Sequence, residues 1–329
     1  MVNASTVTLD QGATHIGAAP TLFPDAGTII DVQENRFPIR LGVENRRIRD
    51  LFHNATRSQW NPATDIDWDQ LHPEQYTDEQ RRAARMYWSR RAWGEYGAIS
   101  ESPALQIRFC HEHCPPDMAL FFAIRSQEES RHAEVCFRMA EALGGYYDQP
   151  AAVAFQGSVA SHGIRKVALD PAISLEGTIA ALVCAAEEIA FDVFRHLSEI
   201  TVNPVARQVV KAILRDEVRH CAFGWAFLQQ RMPQMTAAEK DVVRQAVINM
   251  MEKVELNGYH SSWLAPASPS STDEMLVDQI TNQAGLGATT ETLERPVFLK
   301  SIASMRQRMG EEWGIEIPMF HHPKIDGPF

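Results

Sequence analysis

Nowhere in this 329-residue chain do the roughly 20 consecutive apolar residues of a membrane-crossing helix occur, so no membrane partner is expected. A basic surplus is missing as well. Lys and Arg number 31 against 42 Asp and Glu, a formal charge of -11. Phosphate binding needs a basic face, so nucleic acid is not an expected partner. The start, MVNASTVTLDQGATH, has neither the basic residues nor the apolar stretch of a secretory signal. Cysteine is sparse. Cys110, Cys114, Cys136, Cys184 and Cys221 form no dense disulfide framework, and an odd number points to reduced thiols in the cytoplasm. Gly285-Leu286-Gly287 lacks the third glycine and the preceding strand of a dinucleotide fingerprint. Strand-like alternation is scarcely visible.

What the chain does have is helix-forming sequence in long blocks. Five segments, about 78–101, 115–144, 173–200, 204–231 and 236–259, repeat apolar residues at three- and four-residue steps, as in Leu120, Phe121 and Ile124. Pro115-Pro116, Gly144-Gly145, Pro171, Pro204 and Met232-Pro233 mark the breaks. Thr77-Asp78-Glu79 offers the first helix start. Residues 1–78 read as an irregular arm with one short helix near Glu44–His53 and an anchored loop at Trp60–Trp68. Residues 79–260 then form a helical bundle. Residues 261–329 pack on it as a loop (260–292) and a final helix (about 294–313), giving one domain overall.

Two of these segments contain Glu-x-x-His: Glu129–His132 in QEESRHAE and Glu217–His220 in RDEVRHCAF. Alone, that tetrapeptide is a weak signal; the context strengthens it. Each copy has an acid just before the glutamate (Glu128, Asp216) and an arginine just before the histidine (Arg131, Arg219). A three-residue step puts Glu and His on one helix face, able to grip one ion together. Each copy also follows a helix with a glutamate about thirty residues upstream: Glu95 for the first, Glu187 or Glu188 for the second. Two helices giving a Glu and two giving Glu-x-x-His is the inward-facing arrangement of ferritin-like di-metal bundles. Four carboxylates neutralise two divalent irons and can bridge them, while each imidazole adds one nitrogen. Glu128 and Asp216 are placed to fix the histidine tautomers by hydrogen bonds. The run Cys110-His111-Glu112-His113-Cys114 is compact, whereas closed zinc sites draw on two separated pairs, so it reads as a polar helix end.

GEYGAISES around Glu95, followed by EESRH and DEVRHCAFG, resembles the hydroxylase component of bacterial multicomponent di-iron monooxygenases, and is similar to the smaller ferritin-like N-oxygenases. The likeness covers roughly residues 85–230. It implies an all-α fold, a ferritin-like four-helix bundle with added N- and C-terminal helices and loops. It also implies that Glu95, Glu129, His132, Glu217 and His220 are metal ligands. For the sixth, those families often place a bulky apolar residue three positions on, which favours Glu188 with Phe191; Glu187 is the alternative. The N-oxygenases carry an extra histidine one turn before the last Glu-x-x-His, where this chain has Ile213. Radical-generating ribonucleotide reductase subunits place a tyrosine one turn after the first ligating histidine, where this chain has Cys136. Arg131, Arg219, Cys136 and Asp192 are expected around the ligands, with Asp192 and Arg195 lining a cavity or forming a solvated pair.

The expectation is therefore a di-iron oxygenase acting on O2 and a small organic substrate, with manganese an alternative in one position. Phe122, Phe191 and Ile213 are expected to keep the site dry. No flavin, nicotinamide or iron–sulfur motif is visible, so a separate ferredoxin or flavin reductase, or the substrate, would supply electrons. The resemblance implies a homodimer. An iron-handling or ligand-binding protein, either a ferroxidase or a scaffold with no organic turnover, is the competing class, with a ribonucleotide-reductase-subunit-like oxidase a further alternative, since fold analogy does not fix chemistry.

Overall fold

The computed structural model describes residues 42, 45–150, 168–170 and 172–329. Among them no β-strand forms; a lone bridge joins His322 and Ile325. The helices are α1 (Arg46–Arg57), α2 (Asp78–His111), α3 (Pro116–Ala142), α4 (Leu175–Ile179), a π-helical stretch (Ala180–Ala186), α5 (Glu187–Ile200), α6 (Pro204–Arg231), α7 (Ala237–Lys253), α8 (Pro269–Gln283) and α9 (Glu291–Trp313). The four long rods α2, α3, α4–π–α5 and α6 make a ferritin-like bundle. Helix α1 lies against α3 and α6, α7 against α4 and the π stretch, α8 against α2, and α9 against α5.

Local chemistry sets these boundaries. Thr77 and Gln80 form a reciprocal capping box at the start of α2. The Asn203 side chain accepts from the Val205 and Ala206 amides, and Pro204 occupies the first position of α6. Helix α3 stops at Gly144 and Gly145, whose φ of 116° and 133° an L side chain rarely adopts.

Two sequence expectations fail. Helix α2 was expected to end near 101, before Pro103, yet it continues to His111. Pro103 cannot donate to the Ile99 carbonyl, and Ser126 Oγ from α3 reaches that carbonyl instead, at 3.4 Å. The extra turns bury Leu105 and Phe109 in the core. The second failure is the loop expected over 260–292, which contains α8. Polar residues on its inner side cap and pair. Ser268 and Ser271 cap each other, and Asp278 binds Arg90 of α2.

One end of the bundle is closed by phenylalanines. Phe109, Phe121, Phe122, Phe223 and Phe227 are fully buried with ring centroids 4.5–6.3 Å apart. Burying each is worth roughly 2–3 kcal/mol of transfer free energy. Opposite the π stretch, α6 has Gly224. A Cβ there would lie 2.7 Å from Val183 Cγ1 and 2.9 Å from Cys184 Sγ, so only glycine allows this close approach.

Candidate metal centre

Both Glu-x-x-His motifs point into the bundle, where His132 on α3 and His220 on α6 are fully buried with ring centroids 6.1 Å apart. His132 Nδ1 has no hydrogen-bond partner. Around it stand Glu129 Oε2 and Glu217 Oε1, each at 3.4 Å, and Glu95 Oε2 at 3.7 Å. His220 Nδ1 faces Glu217 Oε2 at 3.0 Å, Glu129 Oε1 at 3.4 Å and Glu187 Oε2 at 3.8 Å. Glu129 and Glu217 thus give one oxygen to each histidine, the geometry of bridging carboxylates. Donors around a single ion with bonds of ~2.1 Å stand ~3.0–3.4 Å apart, so this spacing fits two small ions side by side. Two groups of donors, Glu95–Glu129–His132–Glu217 and Glu129–Glu187–His220, are close enough to hold a metal each.

The outer face of each imidazole is held from the opposite helix. Glu128 Oε2 on α3 lies 3.0 Å from His220 Nε2, and Asp216 Oδ2 on α6 lies 3.3 Å from His132 Nε2. These contacts leave Nδ1 free to bind a metal. The acids are themselves satisfied. Asp216 accepts from Trp60 Nε1 at 2.8 Å and Arg131 Nη2 at 3.1 Å; Glu128 accepts from Arg219 Nε at 3.2 Å. Trp60 therefore anchors the loop before α2 directly to this layer. Burial works against charge on Asp216 and Glu128, but the imidazole each one meets, His132 for Asp216 and His220 for Glu128, outweighs it, with Trp60 and Arg219 adding to the effect on Asp216 and Arg219 to that on Glu128; both carboxyls are held below their ordinary values. Burial likewise disfavours imidazolium, yet the surrounding carboxylates raise both histidines well above theirs. A divalent ion would replace those protons, because a ligating imidazole must be neutral.

Of the two candidates for the sixth position, the structure brings Glu187, the alternative, beside His220, and not the preferred Glu188. Glu188 belongs to neither group; its Oε2 accepts from Trp225 Nε1 at 2.8 Å, on the outward side. Phe191, which favoured Glu188, is half-buried beneath the Arg195 guanidinium at 5.6 Å. Glu187, Ala190 and Phe194 instead share the inward face at helical spacing. The π stretch ends one residue before Glu187, so α-helical periodicity could not give the phase here. Asp192 pairs with Arg195 at 2.9 Å and does not line the cavity described below. Cys136 is fully buried one turn beyond His132, its thiol pushed up by burial. Ile213 and Phe122 are also fully buried, and the Phe121 ring meets His220 edge-on at 6.3 Å. Cys110 is exposed and Cys114 half-buried; neither joins a metal-holding group among the described residues.

Sequence reasoning missed Arg125, Glu101 and His260. Arg125 stands one turn before Glu129, and that spacing was the available signal. Its guanidinium pairs with Glu187, with Glu129 at 3.1 Å and with Glu101 at 3.3 Å. Burial disfavours charge on Glu187, but Arg125 holds its carboxyl far below the usual range. Burial pushes Glu217 up to about 7. His260 Nδ1 contacts both oxygens of the fully buried Glu255, at 3.0 and 3.1 Å. A cavity of about 140 Å³ runs from Glu95, Glu129, Glu187 and Glu217 to a wall that includes His260 and Tyr87.

By sequence, residues 119–260 match the family described as P-aminobenzoate N-oxygenase AurF, a span from α3 to His260. No curated protein matches the chain. By structure it is similar to R2-like ligand-binding oxidases. One has an aerobically reconstituted Mn/Fe cofactor after a long soak: TM-score 0.61, 17% identity, 80% of this chain and 93% of that one. A second has an aerobically reconstituted metal cofactor after photoconversion: TM-score 0.61, 17% identity, 81% and 94%. A single-residue variant with Mn/Fe gives 0.62, 17%, 81% and 94%. These likenesses show the ferritin-like fold.

Proposed function

We propose that this chain is a non-haem di-iron oxygenase that oxidises a small organic substrate with O2. Glu95, Glu129, His132, Glu187, Glu217 and His220 would hold the two ions. Held there, a reduced metal pair would supply electrons for O2, while the protein's own residues supply position and charge. The observation that carries this reading is the cavity, which touches four of the proposed ligand carboxylates. At about 140 Å³ it approaches the ~150 Å³ of an engineered apolar cavity that binds benzene, so a compact, ring-sized substrate fits. Its wall mixes polar groups, Arg90, Arg91, Ser262 and Glu294, with apolar ones such as Val193, Phe194 and Leu197, which suits an apolar ring carrying hydrogen-bonding groups. Hydroxylation, epoxidation, N-oxygenation and oxidative cleavage all fall within this chemistry; the match to the N-oxygenase family supports trying aromatic amines first. A separate electron donor and a homodimer belong to the same reading.

The second reading is a Mn/Fe oxidase with a bound ligand, favoured by the cofactors of the similar structures. The test loads the protein anaerobically with Fe(II), then admits labelled O2 with single-ring amines, phenols and acids. Oxidation of about two irons per chain, with label in an organic product, is expected. Continued Fe(II) oxidation with ferric mineral would show that iron is the substrate. A preference for one Mn and one Fe from a mixed supply would favour the second reading.

A further inference from the structure

The two halves of the centre grow from near-identical motifs, yet the arginine beside each is held differently. On the half around His220, the Arg125 guanidinium contacts two of the carboxylates, Glu129 and Glu187. Nη2 lies 3.1 Å from Glu129 Oε1 and also pairs with Glu187 Oε1. Arg125 is held there. Its side chain is 1% exposed, Nη1 donates to Ser102 Oγ at 2.8 Å, and Glu101 Oε1 stands 3.3 Å from the same nitrogen. The other half also has an arginine, Arg91, 3.1 Å from Glu95. Arg91 touches a single proposed ligand, its side chain is 20% exposed, and it lies over Phe194 at 4.2 Å on the cavity wall. It has room to withdraw when Glu95 turns to an ion. Arg125 does not.

We propose that Arg125 sets the order in which the centre fills: its fixed charge weakens the Glu129–Glu187–His220 half for a divalent ion, so the Glu95–Glu129–His132–Glu217 half fills first. This rests on the two-metal reading of the centre. A guanidinium keeps its proton at every accessible pH. It competes with the ion for carboxylate oxygens and repels it across a few ångströms of poorly screened interior. Glu101 offsets part of that charge, which lets the second ion bind at all. Ordered filling makes the half-loaded chain a defined species and lets two different ions take different places.

The test uses Mn(II) alone, under anaerobic conditions, followed by calorimetry and electron paramagnetic resonance. In the wild-type protein the first equivalent should give mononuclear Mn(II), with a spin-coupled pair appearing only in the second, bound at least about tenfold more weakly. Arg125→Gln keeps hydrogen-bonding groups but removes the charge. It should tighten the second ion about tenfold or more, so that coupled pairs appear within the first equivalent. Coupled pairs at one equivalent in the wild type would overturn the proposal. So would an Arg125→Gln protein that keeps the wild-type order or loses the second ion. Should that variant not fold, Glu101→Gln at pH 8 decides. Without its counter-charge, Arg125 should weaken the second ion several-fold, and an unchanged or tighter second ion refutes the idea. Two ions bound equally would overturn only the order; no Mn(II) bound would overturn the two-metal reading as well.

Discussion

Replacing Glu294 with glutamine should change how the stability of this protein depends on pH. Glu294 lies in the first turn of helix α9, is 3% exposed, and accepts a hydrogen bond from Trp263 Nε1 at 3.0 Å. Burial pushes its carboxyl from 4.5 up to about 7; Ser261 and Trp263 favour ionisation but do not restore it. Below pH 4.5 the folded and unfolded chains both carry the proton, and the shift costs nothing. Between 4.5 and 7 only the unfolded chain ionises, so stability falls as pH rises. Above 7 the loss is complete. At ~1.36 kcal/mol per unit the whole loss is roughly 3 kcal/mol, most of it between pH 5 and 8.5. Glutamine keeps an oxygen for Trp263 and cannot ionise. Urea unfolding of the metal-free wild type and Glu294→Gln at these two pH values is the assay. The variant should gain roughly 2–3 kcal/mol on the wild type between them, and any constant packing offset cancels. A difference that stays the same at both pH values would refute the reasoning.

Glu187→Ala should bind about one metal ion per chain, while Glu188→Ala keeps two; the reverse result in metal analysis would restore Glu188 as the ligand. Gly224→Val should destabilise the fold by about 1–3 kcal/mol through contact with Val183 and Cys184. An unchanged melting temperature would show that α6 and the π stretch can part without strain.

Much of this architecture is legible in the residues because helix signals are local. Thr77, Pro115-Pro116, Asn203-Pro204 and Gly144-Gly145 state where helices begin and end, and each acts through its own neighbours. The two histidines and three of the glutamates that the structure gathers around them are readable for the same reason, since Glu-x-x-His spacing and Glu95 act on single helix faces. What was not legible depends on other elements. Pro103 stays helical because Ser126, on another helix, serves the carbonyl it abandons. Helix α8 is polar along much of its length, and it is fixed by Arg90 on α2 rather than by an apolar stripe. Glu187 and Glu188 differ by one residue, and the choice turns on a π stretch of alanine, leucine, valine and cysteine that periodicity reads as ordinary helix. Arg125 carries no motif of its own; its meaning comes from three carboxylates on three helices.

The crossed contacts of Glu128 with His220 and Asp216 with His132 make the pair of motifs behave as a lock rather than as two cups. Each helix carries the key to the other's histidine, so neither motif can be transplanted alone, and sliding α3 along α6 releases both imidazoles at once. A lesion on either helix should therefore be felt across the twofold pattern before it is felt beside itself. Whatever distinguishes the two ions must come from parts that break that pattern. Glu95 on a long helix differs from Glu187 beside a π stretch, and the partly exposed Arg91 differs from the buried Arg125.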